Sequence, residues 1–161
     1  MLQISHLQQQ DVLSIISLAH ETWWATYRSI ISDEQIHYML DRFYNEKLIE
    51  EQLQQNDHIF LKATEEGVLL GYCHAIWTDS FMKLSKLYIH PKAQGKGVGK
   101  LLLEELEVRC NANQMHSIQL NVNIHNPARF FYERMGFAIV QRVDISLHTF
   151  WLNDYVMSKT L

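Results

Sequence analysis

With 161 residues, 47% of them hydrophobic and 20% charged, the chain has the composition of an ordinary soluble globular protein, and one domain over residues 1–161 is expected. A formal net charge of −4, without any run of like charges, excludes a generic phosphate-backbone binder, so nucleic acid is not an expected partner. The two cysteines, Cys73 and Cys110, form no Cys-x-x-Cys pair, and the nine histidines show no His-Glu-x-x-His spacing; neither a disulfide framework nor a metal site is expected.

Residues 1–10 are polar and glutamine-rich, with no apolar signal core. Over 11–28, Val12, Ile15, Ile16, Ala19, Trp23 and Tyr27 fall at helical spacing, which predicts a helix with Asp11 as its N-cap. A second helix is predicted from Ser32, where Ser32-Asp33-Glu34-Gln35 reads as a capping box and Ile36, Met39, Leu40 and Phe43 form the inward stripe. A short third helix is predicted over 48–53.

The pattern then turns to strands. Residues 58–63 and 68–77 flank Glu65-Glu66-Gly67 and read as a hairpin. The apolar stretch 68–77 is far short of the roughly 20 residues that span a bilayer, so a cytoplasmic protein without a membrane partner is expected. Residues 83–90 predict a strand, with Leu87 and Ile89 on one face and Lys86 and Tyr88 on the other, ended by Pro91. Helical spacing returns over 97–110 through Val98, Leu101, Leu102 and Leu106, and strand alternation over 117–123 through Ile118, Leu120 and Val122. A helix over 127–135 opens on proline and stops at Gly136, and two last strands are predicted over 137–144 and 149–159. This order predicts a mixed α/β (α+β) layer, with helices packed on a central sheet.

The stretch that carries chemistry runs from Leu87 to Lys100: a strand, a turn with glycines at 95, 97 and 99, then an amphipathic helix. Glycines permit positive φ and close backbone approach, and the helix start presents free N–H groups, a combination suited to phosphate. A Walker A loop fails, because Lys100 is followed by Leu101 and Gln94 stands where the first glycine belongs. A dinucleotide fingerprint fails because the third glycine is missing. What remains is Gln94-x-x-Gly97-x-Gly99.

That motif resembles the signature of the GNAT acetyltransferase superfamily, Gln/Arg-x-x-Gly-x-Gly/Ala. Downstream, the run Asn126 to Phe137 is similar to the family's second block, with Ala128, then Tyr132 four residues on, then Gly136-Phe137. His125 stands where the family frequently has asparagine, with Asn126 beside it. The closing residues 153–161 resemble the family's last strand, so the matches span roughly half the chain, 84–161. The first half, with Trp23, Trp24, Tyr27 and the Ser32 helix, is more loosely similar to bacterial polyamine-type acetyltransferases.

The resemblance implies a GNAT fold: a mixed central sheet of about six to seven strands, splayed between the fourth and fifth, with helices on both faces. It implies acetyl-CoA as cosubstrate, without a metal, in the gap between strands 83–90 and 117–123. Leu87, Tyr88, Ile89, Gln94, Gly95, Lys96, Gly97, Val98, Gly99, Lys100 and Asn126 would bind it. A backbone N–H near Tyr88 or Ile89 would meet the oxyanion, and Tyr132 would protonate the leaving thiolate. The implied reaction moves an acetyl group directly to a primary amine, on a small or polyamine-like acceptor; a homodimer is left open.

The same resemblance draws the acceptor pocket around Trp23, Trp24, Tyr27, Ile31 and Tyr38, with Trp77 and Phe81 as further candidates. The general base stays open among Glu21, His74, Asp79, His125 and a water. Two other readings share the motif: a protein N-terminal or lysine acetyltransferase, and a non-catalytic coenzyme A sensor. The sensor would be expected to lose Tyr132. A nucleotide-binding switch is disfavoured by the failed Walker A and dinucleotide patterns.

Overall fold

The computed structural model describes residues 1–161. Its sheet has seven strands in the order β1-β2-β3-β4-β5-β7-β6. β2 (His58–Glu65), β3 (Val68–Trp77) and β4 (Met82–Ile89) form the antiparallel meander. Glu66 and Gly67 turn the first hairpin with φ of 50° and 79°, the paired positive values that a two-residue turn between twisted strands requires. β5 (Ser117–Asn123) lies parallel to β4, and β7 (Phe150–Thr160) pairs antiparallel with both β5 and β6 (Ala138–Leu147).

β1 (Leu2–His6) was not expected; it pairs along β2 from Leu61 to Glu65. Its five residues, Leu2-Gln3-Ile4-Ser5-His6, carry only two apolar side chains, too few to read as a strand, yet an edge strand is held by ladder hydrogen bonds and needs only a weak apolar face. β6 runs three residues past the predicted end at 144, β7 is shifted by one residue from the predicted 149–159, and the turn between them includes His148 at φ 56°.

α1 (Val12–Tyr27), α2 (Asp33–Phe43) and α3 (Glu46–Leu53) cover one face of the sheet. Asp11 does not cap α1. It closes a short 3-10 turn, and its carboxylate accepts from Gln8 N at 2.7 Å and from Lys62 Nζ at 2.7 and 2.8 Å. The charged partner on β2 outcompetes the helix amides for that carboxylate. At α2, Ser32 Oγ accepts from Gln35 N at 3.1 Å, which is half of a capping box. The reciprocal half is missing, because the Gln35 side chain donates to Trp151 O at 3.1 Å and ties α2 to β7. Ile36, Met39 and Leu40 are buried as the stripe requires, whereas Phe43 is only partly so.

α4 (Val98–Ala112) packs on the opposite face, and its Leu102, Leu103 and Leu106 join Leu61, Cys73, Leu84, Ile118 and Leu120 in the largest core. α5 (Ala128–Arg134) follows β5 and ends at Gly136, φ 94°. No helix is long and apolar enough to cross a membrane.

One irregularity positions the site. β4 pairs with β5 only at Met82↔Ile118, Lys83↔Gln119 and Leu84↔Leu120. On its other side β4 skips Ser85, with Ala75↔Leu84 followed by His74↔Lys86. A bulge bends its strand and sharpens the twist, so β4 leaves β5 from Ser85 onward.

Candidate active site

The two strands open into a cleft of about 720 Å³. Residues 85–89 of β4 form one wall, and Asn121 and Val122 of β5 begin the other. The turn before α4 and the start of α4 line one end, Ala128, Phe131, Tyr132 and Met135 line the α5 side, and Thr22, Thr26 and Tyr27 of α1 reach in from the opposite face of the sheet. The lining carries three cations, Lys86, Lys100 and Arg134, and no carboxylate.

Of the residues implied for cofactor binding, Leu87, Tyr88, Ile89, Gln94, Gly95, Gly97, Val98, Gly99, Lys100 and Asn126 all line this cleft. Lys96 does not; its side chain is exposed at the turn. The three glycines of the turn serve different ends. Gly95 and Gly97 hold φ of 76° and 80°, with nothing within 4 Å of a Cβ built on either, so they are needed for backbone conformation. Gly99 has no unusual φ, but a Cβ there would lie 3.1 Å from Phe131 Cζ; it lets α4 and α5 approach.

No side chain caps α4, and its first internal bond runs from Leu101 N to Gly97 O at 3.0 Å. The N–H groups of Val98, Gly99 and Lys100 are therefore left for a ligand, and with the helix dipole they suit an anion.

Tyr132 sits one helical turn into α5, only 9% exposed, with its ring edge-on to Phe131 and Phe137. Its hydroxyl has no hydrogen-bond partner within the protein, and burial, reinforced by Tyr27 and Cys73, raises its pKa above the ordinary phenol value. The group therefore keeps its proton at neutral pH. Tyr88 contributes its backbone to the wall, because its side chain is committed elsewhere: Trp23 Nε1 donates to its Oη at 2.9 Å, and its hydroxyl also bonds that of Tyr44.

Lys86, on the same face of β4 as Tyr88, is buried, donates to Phe43 O at 3.1 Å and lies 4.5 Å over the Tyr44 ring. Burial lowers its pKa to about 8. Sequence spacing placed Lys86 opposite Leu87 but gave no sign that it is buried.

Around the acceptor end the expectations need correction. Tyr27 alone of the expected aromatic wall lines the cleft. Trp23 packs behind it at 4.3 Å, Trp24 packs against His37 under the Arg28 guanidinium, and Tyr38 stacks on His148. Ile31 packs against the α1–α2 cluster. Trp77 lies opposite Met82, at the paired end of β4, and Phe81 belongs to the turn just before it. α1 and α2 thus pack their aromatics on each other, as the apolar faces of two adjoining helices do.

None of the four candidate bases lines the cleft either. Glu21 is exposed, 3.9 Å from His90. His74 is buried and bonds His58 through Nε2 to Nδ1 at 2.7 Å; burial, with Lys86 and His58, pushes its pKa down to about 2. Asp79 is at the far turn between β3 and β4, and His125 is exposed on the connection from β5 to α5.

Two polar residues missed by the sequence reading border the α1 end. Asn121 lines the cleft from β5, and Asp154 on β7 lies opposite Asn123. The only signal for them was strand alternation, which turns both away from the core side chains Leu120, Val122 and Tyr155. Asn126 Nδ2 donates to Tyr27 Oη at 3.0 Å, and its Oδ1 accepts from Ala128 N at 2.9 Å. Burial lifts the Tyr27 pKa to about 12.

The Acetyltransferase (GNAT) domain model matches residues 27–155. The chain is 31% identical to the spermidine N(1)-acetyltransferase of Thermoplasma acidophilum over 163 aligned positions, covering 98% of this chain and 96% of that one. It is 33% identical to the ribosomal protein bS18-alanine N-acetyltransferase of Haemophilus influenzae over 86 positions, 52% of this chain and 58% of that one. Among solved structures, the PaiA N-acetyltransferase of Thermoplasma acidophilum in complex with coenzyme A superposes with a TM-score of 0.88 at 26% identity, over 100% of this chain and 99% of that one. The chain belongs to the GNAT family, and it is an acyltransferase of the N-acetyltransferase type.

Proposed function

We propose that the protein binds acetyl-CoA in the β4–β5 cleft and transfers the acetyl group to a primary amine of a small, polyamine-like molecule. The observation that carries this reading is that one cleft is lined by both the uncapped α4 N-terminus and Tyr132, whose hydroxyl has no partner in the protein. Free amides at a helix start favour the pyrophosphate of coenzyme A, and Lys100 and Arg134 add positive charge along the same lining. The near full-length similarity to a spermidine N(1)-acetyltransferase supports a small amine as acceptor.

The chemistry follows from the groups present. A neutral amine attacks the thioester carbonyl carbon while both reactants are held in the cleft, which removes most of the entropic barrier. Beyond Leu84, β4 has no strand partner on the β5 side, so backbone N–H groups directed there are available to the oxyanion. Tyr132, protonated at neutral pH, supplies the proton to the leaving thiolate. Thiol release from acetyl-CoA, measured across polyamines, monoamines, amino acids and alanine-terminated peptides, tests the reading. Turnover with spermidine or a related amine is expected; turnover with peptides alone would replace the small acceptor by a protein N-terminus.

A further inference from the structure

An aliphatic amine arrives at neutral pH as an ammonium ion, and the cleft lining contains no carboxylate to receive it. Asp154 lies just beyond that lining. On β7 it shares a face with Leu152, which packs toward Trp23 and Ile36, whereas its neighbour Tyr155 faces the other way, beneath the Arg129 guanidinium at 5.5 Å. The carboxylate is thus on the side of the sheet from which α1 approaches.

Its surroundings come from three elements. From β5, Asn123 is directly opposite, and Asn121, two residues before it, lies on the diagonal of the same face. From β6, Val143 is opposite, while Arg142 and Asp144, paired with Tyr155 and Asn153, alternate to the other face. From α1 comes Tyr27, close enough for Asp154 to raise its pKa. The cation on this side of β4, Lys86, is bound to Phe43 O. Asp154 takes part in no ion pair of this structure, although it is only partly exposed. Burial raises its pKa, with Asn121 pulling the other way, as suits a carboxylate that must accept a proton.

The Tyr27 hydroxyl completes the frame. Asn126 donates to its oxygen, so the phenolic proton is directed away from Asn126. We propose that Asp154, framed by Tyr27 and Asn121, forms an ammonium subsite that receives the acceptor amine and takes its proton before attack. This rests on the acetyltransferase reading above. The ammonium gives one proton to the Asp154 carboxylate and becomes a neutral amine. The nitrogen lone pair bonds to the thioester carbon, and the C–S bonding pair leaves on sulfur. Tyr132 protonates that sulfur and regains a proton from the new amide nitrogen, while Asp154 releases its proton to solvent. The sum is amide, free thiol and one proton.

The test compares two amines of similar size in wild type and Asp154→Asn: propylamine, an ammonium at pH 7, and trifluoroethylamine, already largely neutral there. Asp154→Asn should lower kcat/KM for propylamine by about 100-fold or more and that for trifluoroethylamine far less. Coenzyme A affinity by calorimetry should stay unchanged, and Asp154→Glu should recover part of the loss. The same comparison is made with the α-amine of a peptide if that is what the wild type accepts, so failure of the small-acceptor reading is separable. Equal losses with both amines, or wild-type kcat/KM for propylamine in Asp154→Asn, would overturn the subsite. A wild type that acetylates no amine would overturn both readings.

Discussion

Asn126 and Tyr27 close the α1 end of the cleft with one hydrogen bond, 3.0 Å from Nδ2 to the phenol oxygen. The other end of the same amide accepts from Ala128 N at 2.9 Å and so fixes the start of α5. Tyr132 follows Ala128 by one helical turn. The position of the proposed acid is therefore referenced to α1 through a single side chain.

If that linkage holds the cleft, Asn126→Ala should lower stability by about 1 kcal/mol through loss of the cap alone. A double-mutant cycle with Tyr27→Phe should return a coupling of about 0.5–1.5 kcal/mol, read from urea unfolding. Additive effects would show that the two residues act separately.

Tyr132→Phe should lower kcat by about 10²–10⁴-fold and leave coenzyme A affinity nearly unchanged, because the hydroxyl acts only as charge develops on sulfur. Calorimetry beside steady-state kinetics checks this. Wild-type turnover would reduce Tyr132 to a packing residue.

The glycines at 97 and 99 should fail differently. Gly97→Ala adds a side chain into open space but at φ 80°, an expected destabilisation of about 1–2 kcal/mol together with weakened coenzyme A binding. Gly99→Ala meets Phe131 Cζ at 3.1 Å, so its loss should shrink in a Phe131→Leu background. Thermal unfolding of the single and double variants separates the two.

His74 makes stability depend on acid. In the unfolded chain its imidazole titrates near 6.5, whereas in the fold it is buried, stacked 4.0 Å from Phe60, and takes no proton until about pH 2. As pH falls below 6.5 only the unfolded state gains that proton, so stability falls with pH through this window. The unfolding free energy of wild type should therefore drop more between pH 7 and pH 5 than that of His74→Phe. Parallel urea titrations at the two pH values decide it; equal drops would contradict the assignment.

Trp24 is packed between α1 and α2 and does not line the cleft, so Trp24→Ala should leave the amine KM nearly alone. Tyr27→Ala, which removes cleft lining, should raise it. The opposite ranking in steady-state kinetics would return Trp24 to the acceptor wall.

The sequence by itself determined the helices and central strands and the glycine turn before α4, because each rests on neighbours within a turn or a strand, and it made Tyr132 a candidate through its resemblance to the second GNAT block. Periodicity sorts Leu87 from Tyr88, and the spacing from Ala128 to Tyr132 to Gly136 is local. It did not decide what else the cleft contains. The splay begins at Ser85, where the bulge depends on which β3 residue β4 skips. Asn126 meets Tyr27 across 99 positions. Asp154 comes beside Asn121 only because β7 inserts between β5 and β6. Local pattern fixes which way a side chain alternates, but strand order and register decide what it meets, and those are set by burial of the whole core.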